Sequence, residues 1–121
     1  MLAATLTVGF SGSFDRAQRE LARAGIGVIQ GKLEAYRVER GEWPSNDTGL
    51  AALTDGQATP ADAFYLSGDQ LLDPWGRPFL LVTPGPNGHP YEVLTYGADG
   101  APGGEGANAD LSSAGLREDR R

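Results

Sequence analysis

The chain has 121 residues, 40% apolar and 8% aromatic, with 18 Gly, 8 Pro, no Cys and one His. That composition fits one small globular domain and excludes a coiled coil throughout, a disulfide scaffold, thiolate catalysis and the usual zinc ligand sets. The formal charge of −6 argues against a phosphate-binding face, and so against a nucleic-acid partner, and no run reaches the roughly 20 apolar residues that span a bilayer.

The charge is uneven along the chain. Ser13 to Glu42 carries six basic residues (Arg16, Arg19, Arg23, Lys32, Arg37, Arg40) against five acidic ones, whereas Trp43 onward carries four against eleven. The first stretch reads as a long mixed-charge helix whose charged face is solvated. Phe14, Ala17, Leu21, Ala24 and Val28 recur at alternating steps of three and four, and Ile26, Ile29, Leu33 and Tyr36 form a second strip beside them. Together the two strips predict a broad apolar face at helical period that packs against the rest of the domain. Ser13 is the expected N-cap. Gly25, Gly27 and Gly31 weaken the middle by up to about 1 kcal/mol each relative to Ala. Gly41 and Pro44 end the helix.

Short elements follow, separated by strong punctuation. Thr48–Leu53 predicts one or two helical turns, and Asp73-Pro74-Trp75-Gly76 predicts a sharp turn in which Asp73 is a hydrogen-bond acceptor. The indole of Trp75 is expected to be buried between helix and sheet. Pro78–Thr83 and Tyr91–Tyr96 predict two antiparallel strands, joined by a Pro84–Pro90 loop containing Asn87-Gly88. Gly97–Gly106 holds five Gly in ten positions, so regular structure is expected to end there. The result is an α+β fold in which one long N-terminal helix packs on a small antiparallel sheet.

Catalysis finds little support. His89 sits in the Pro/Gly loop with no orienting carboxylate, and phosphate-loop and dinucleotide fingerprints are absent. The chain is therefore read as a non-enzyme. The C-terminal loop carries more chemistry, with Asp99, Glu105, Asn108 and Asp110 within twelve residues among Gly and small side chains. Hard cations such as Ca²⁺ want six to eight oxygens, from carboxylates and backbone carbonyls, and Gly lets carbonyls turn inward. On spacing alone the stretch is either a mobile acidic loop or a divalent-cation site, and it matches neither an EF-hand nor a repeated calcium array.

Four segments in this order resemble the major pseudopilins of type II secretion systems. Residues 36–44 (Tyr-Arg-Val-Glu-Arg-Gly-Glu-Trp-Pro) look like the family's helix exit, and 48–53 (Thr-Gly-Leu-Ala-Ala-Leu) like its Gly-Leu-x-x-Leu turn. Residues 73–79 (Asp-Pro-Trp-Gly-Arg-Pro-Phe) are similar to its Asp-Pro-Trp-Gly-x-Pro-aromatic signature, and 97–111 to its C-terminal calcium loop. The resemblance implies a type IV pilin-like fold and a structural role. The subunit would polymerise with itself into a periplasmic filament that helps drive folded proteins through the outer membrane. It also implies Ca²⁺ in the C-terminal loop, with Asp99 and Asp110 as side-chain ligands and carbonyl contributions from Tyr96 (where the family more often has Leu) and Ser112. Glu105 and Asn108 are further candidate ligands. Implied partners are minor pseudopilins and the inner-membrane assembly platform, with the full-length form anchored in the inner membrane and its globular domain in the periplasm. Leu2–Phe10 looks like the tail of the family's apolar helix and Met1 like an added start, so a truncated, soluble form is expected, with 112–121 a flexible tail. The alternative reading is a calcium-dependent extracellular binding module with no filament role.

Overall fold

A computed structural model describes residues 2–114 of the chain. One long helix, α1 (Leu2–Arg40), of 39 residues opens the fold. Ser13, expected as its N-cap, lies inside it: Leu2–Phe10 continue the helix, and a Ser is a mild enough helix former not to break one. The helix ends at Gly41, whose positive φ of 84° suits a residue without a Cβ, and whose amide donates to the Arg37 carbonyl at 2.8 Å. Arg37 and Arg40 in the last turn complement the helix dipole. Their guanidinium groups also lie over aromatic rings, Arg37 over Trp43 and Arg40 over Tyr36 and Phe64.

Three short strands form an antiparallel sheet in the order β1 (Leu80–Val82), β2 (Glu92–Thr95), β3 (Leu111–Ser112). Leu81 pairs with Val93, and Thr95 pairs with Leu111. The third strand corrects the expectation that 112–121 form a flexible tail, because Ser112 is buried in the sheet. The Ser113 side chain also accepts the Val93 amide at 2.9 Å. The charged stretch Leu116–Arg121 lies outside the described residues. The predicted turns over 48–53 appear as a 3₁₀ turn at Gly49–Leu53, which buries Leu50, Ala52 and Leu53.

The core sits between α1, the 3₁₀ turn and the sheet. From the helix it takes Ala22, Ile26, Ile29 and Leu33, which meet Leu53, Phe64, Leu66, Val93 and Leu111. Only one of the two apolar strips is therefore inward. The other, at Phe14, Leu21 and Val28, is 61%, 61% and 47% exposed, and Ala17 and Ala24 between them are exposed too. Both strips have helical spacing, but a sheet of three short strands covers only one of them. Gly25 lets the residue just before β1 come close, since a Cβ there would sit 2.9 Å from Cζ of Phe79. The glycine that costs the helix some propensity is thus the one that admits the neighbouring segment.

Candidate metal loop and its supports

The Asp73–Gly76 turn is built as its composition dictates. Gly76 has φ of 90° and donates its amide to the Asp73 carbonyl at 2.9 Å. Asp73 is buried; its Oδ1 accepts the amides of Trp75 and Arg77 at 3.0 and 2.9 Å, and its Oδ2 accepts the Thr95 hydroxyl at 2.5 Å. One carboxylate thereby ties the turn to the central strand. Trp75 is only half-buried against the core, less than expected, and the buried aromatic rings of the core include Phe64 and Phe79 instead.

From this turn Arg77 reaches into the C-terminal loop. Its Nη1 donates to the Ala98 carbonyl at 3.2 Å, and its side chain lies where a Cβ of Gly100 would be, 2.5 Å from Nε. Gly100 has φ of 68°, so both its backbone and its lack of a side chain are required. A second arginine holds the other limb. Nη1 of Arg19, on α1, donates to the carbonyls of Gly106 and Ala109, both at 3.0 Å. A 3₁₀ turn at Gly106–Asn108 and strand β3 follow, so regular structure resumes after the Gly-rich stretch. Sequence reasoning did not single out Arg19 or Arg77 as supports, because guanidinium-to-carbonyl bonds between distant segments leave no local pattern.

The six predicted ligand residues fall into two groups. Asp110 and Ser112 are buried at the base of the loop. Asp110 Oδ1 accepts the Gly103 amide at 3.0 Å, while the Ser112 hydroxyl donates to Oε2 of Glu92 at 2.5 Å. Tyr96, directly after β2, is half-buried beside a small cavity of about 230 Å³ that Asp73, Arg77 and Gly100 also border. Asp99, Glu105 and Asn108 are exposed on the outer part of the loop. Asp99 Oδ1 accepts the Ala101 amide at 3.1 Å, closing a local turn. Among the described residues no three His, Cys, Asp or Glu side chains form a group able to hold a metal ion. A cation in this loop would therefore draw on one or two carboxylates and several backbone carbonyls, a donor set that suits Ca²⁺ and not zinc.

Elsewhere, Tyr91 packs its ring 4.8 Å from that of Trp43, and its phenol is pushed above the ordinary value of 10.0 by burial and by the Glu34 carboxylate on α1. His89 is exposed in the loop between β1 and β2. No helix among the described residues is long and apolar enough to cross a membrane.

The sequence profile described as "Type II secretion system (T2SS), protein G" matches residues 10–114. The chain belongs to this family. The match spans the body, the Asp73 turn and the C-terminal loop together. Curated relatives are named type II secretion system core protein G. One from Vibrio cholerae is 30% identical over 98% of this chain and 83% of its own length, and one from Pseudomonas aeruginosa is 31% identical over 82% and 72%. An Escherichia coli K12 relative is 26% identical over the whole chain and 84% of its own length. Among solved structures, the major pseudopilin of enterohaemorrhagic Escherichia coli superposes with a TM-score of 0.68 at 24% identity, covering 88% of this chain and 94% of that one. The pilin-like α+β fold follows from this likeness. The protein is a pseudopilin-family component of type II secretion, which is not an enzyme family.

Proposed function

We propose that this protein is the repeating structural subunit of a type II secretion pseudopilus. Copies polymerise into a periplasmic filament that helps drive folded proteins through the outer membrane. Before assembly the subunit is held at the inner membrane, where the assembly platform and minor pseudopilins are its partners. The observation that carries this reading is the outward strip of α1. Phe14, Leu21 and Val28 are exposed, with Ala17 and Ala24 between them. An unbroken apolar strip along one helix is a face that other molecules cover. The family and the fold favour neighbouring copies over a binding module without a filament. Exposed ion pairs such as Arg23–Glu20, worth about 0–1 kcal/mol each, contribute little to cohesion by comparison.

In the same proposal Ca²⁺ orders the C-terminal loop. Asp99 and Asp110 supply carboxylates, and the carbonyls of Tyr96 and Ser112 complete the base of the site, with Glu105 and Asn108 on its outer side. What supports this is the loop's economy. Residues 101–106 are exposed, and the loop is attached by a few hydrogen bonds, from Arg19 and Arg77 to its carbonyls and from the Gly103 amide to Asp110.

The filament role is tested with Phe14→Glu and Leu21→Glu in cells expressing the protein from its own gene. Both sites are exposed, so purified protein should keep its stability within about 0.5 kcal/mol, while filaments and secretion are lost. Filaments formed at the wild-type level would overturn the reading.

A further inference from the structure

The loop over 97–110 carries three acidic side chains, Asp99, Glu105 and Asp110, and no basic one. Two guanidinium groups reach it from outside, and each stands on a fixed element. Arg19 lies a turn before Ala22 and Ile26, whose burial in the core fixes this part of α1. The Arg77 backbone is held at both its polar atoms: its amide donates to Oδ1 of Asp73 at 2.9 Å, and its carbonyl accepts the Asp73 amide at 2.7 Å.

The two arginines take different limbs of the loop. Arg77 is exposed and holds the first limb, at the Ala98 carbonyl. Arg19 is half-buried and holds the second. A single nitrogen, Nη1, donates to the Gly106 carbonyl, which opens the 3₁₀ turn, and to the Ala109 carbonyl, which follows it. The Ala109 carbonyl belongs to the peptide unit that leads into Asp110. Because that unit is planar, fixing its oxygen also fixes the direction in which the Asp110 backbone sets out. The buried Asp110 carboxylate, which accepts the Gly103 amide, is thus held from its own main chain as well as from across the loop.

We propose that Arg19 is a positioning residue for the cation site of this loop, ordering the limb that carries Asp110 before the ion arrives. This rests on the calcium reading. Arg19 acts on the ion in two opposed ways. Its charge repels a divalent cation, but that is one interaction near the surface, where water and salt screen it. Its hydrogen bonds remove backbone freedom that the ion would otherwise have to restrict, a cost that falls on every residue of the limb. The ordering effect is the larger, so a positive side chain strengthens the binding of a positive ion. A limb that is competent about a tenth of the time binds about tenfold more weakly. Arg77 contributes less, because its bond is exposed and its limb carries the exposed Asp99.

The test is equilibrium dialysis of EDTA-treated protein against calcium chloride. Arg19→Ala should raise the calcium Kd about tenfold or more, and Arg77→Ala about threefold or less. Arg19→Lys, which keeps N–H donors on a long stem, should stay within about threefold of wild type. In Arg19→Ala the loop amides should exchange fast in EDTA and slowly at saturating calcium, while the Val93 amide stays protected in both. If the alanine variant loses that protection, Arg19→Gln, which keeps the packing of the stem, makes the same comparison. An unchanged or lower Kd in a variant whose Val93 amide is protected would overturn the positioning role and leave the calcium site standing. No calcium retained by the wild-type protein would overturn the calcium reading, and this inference with it.

Discussion

The body of the molecule and its C-terminal loop are held together by different forces. The body buries a contiguous apolar cluster from Ala22 to Leu111, so its stability scales with area removed from water. The loop over 97–110 is mostly exposed and is attached by a few directed bonds: Arg19 to two carbonyls, Arg77 to one, and Asp110 to the Gly103 amide. Burial tolerates small shifts, whereas directed bonds fail one at a time. The body is thus expected to fold whatever the ionic conditions, and the loop to respond to them.

The largest effect should come from the body. Phe64→Ala removes a fully buried ring and should cost about 3–5 kcal/mol, the same with or without calcium, as measured by chemical denaturation. A cost that changed with calcium would break the distinction between the two regions. Trp75→Ala should cost less than this, because the indole is only half-buried.

Next comes the ion. In a thermal melt begun in EDTA, calcium at about 100 times its dissociation constant should add roughly 2.7 kcal/mol, with magnesium as the control. Asp99→Ala should abolish that gain and leave the chelated protein nearly unchanged. Asp110→Ala should abolish it and also cost about 1–3 kcal/mol in chelator, since its buried carboxylate accepts the Gly103 amide. Equal losses in chelator from both variants would make these residues structural acceptors only.

Smaller still, Arg19→Ala should cost roughly 1–2 kcal/mol and speed amide exchange across the loop while the Val93 amide, bonded to Ser113, stays protected. The smallest effect is in alkaline solution. Folding raises the Tyr91 pKa above its ordinary 10.0, so the contribution is fully present below about pH 10 and is lost as pH rises through the folded value. Tyr91→Phe should flatten that part of the stability curve. A fall in stability already present at pH 8 would have another origin.

The sequence carried much of this fold in local signals. The helix stop at Gly41, the Asp73–Gly76 turn, the two strands flanking Asn87-Gly88 and the 3₁₀ turn after Thr48 each have a chemical cause within a few residues. What was not legible depended on distant partners. The Phe14 and Ile26 strips are equally periodic, and the choice between them was made by a sheet that packs at Gly25 and Phe79. Strand β3 is two residues long and half serine, so no propensity announces it. The helix passes through Ser11-Gly12-Ser13 despite their weak preference for it. For the loop, the sequence supplied the acidic residues but not their depths: Asp110 is inside and Asp99 outside. The anchors Arg19 and Arg77 lie far along the chain from the carbonyls they bind, and only the folded molecule brings them there.

The contact between Gly25 and Phe79 has an effect beyond packing distance. A methyl at position 25 would reach within 2.9 Å of the ring, so the sheet would have to ride outward or the ring rotate away. Either change reshapes the open groove between α1 and the segment that carries the Asp73 turn, because both residues line it. One hydrogen in place of a side chain therefore sets at once how thick the subunit is and what shape of surface it offers to whatever lies beside it.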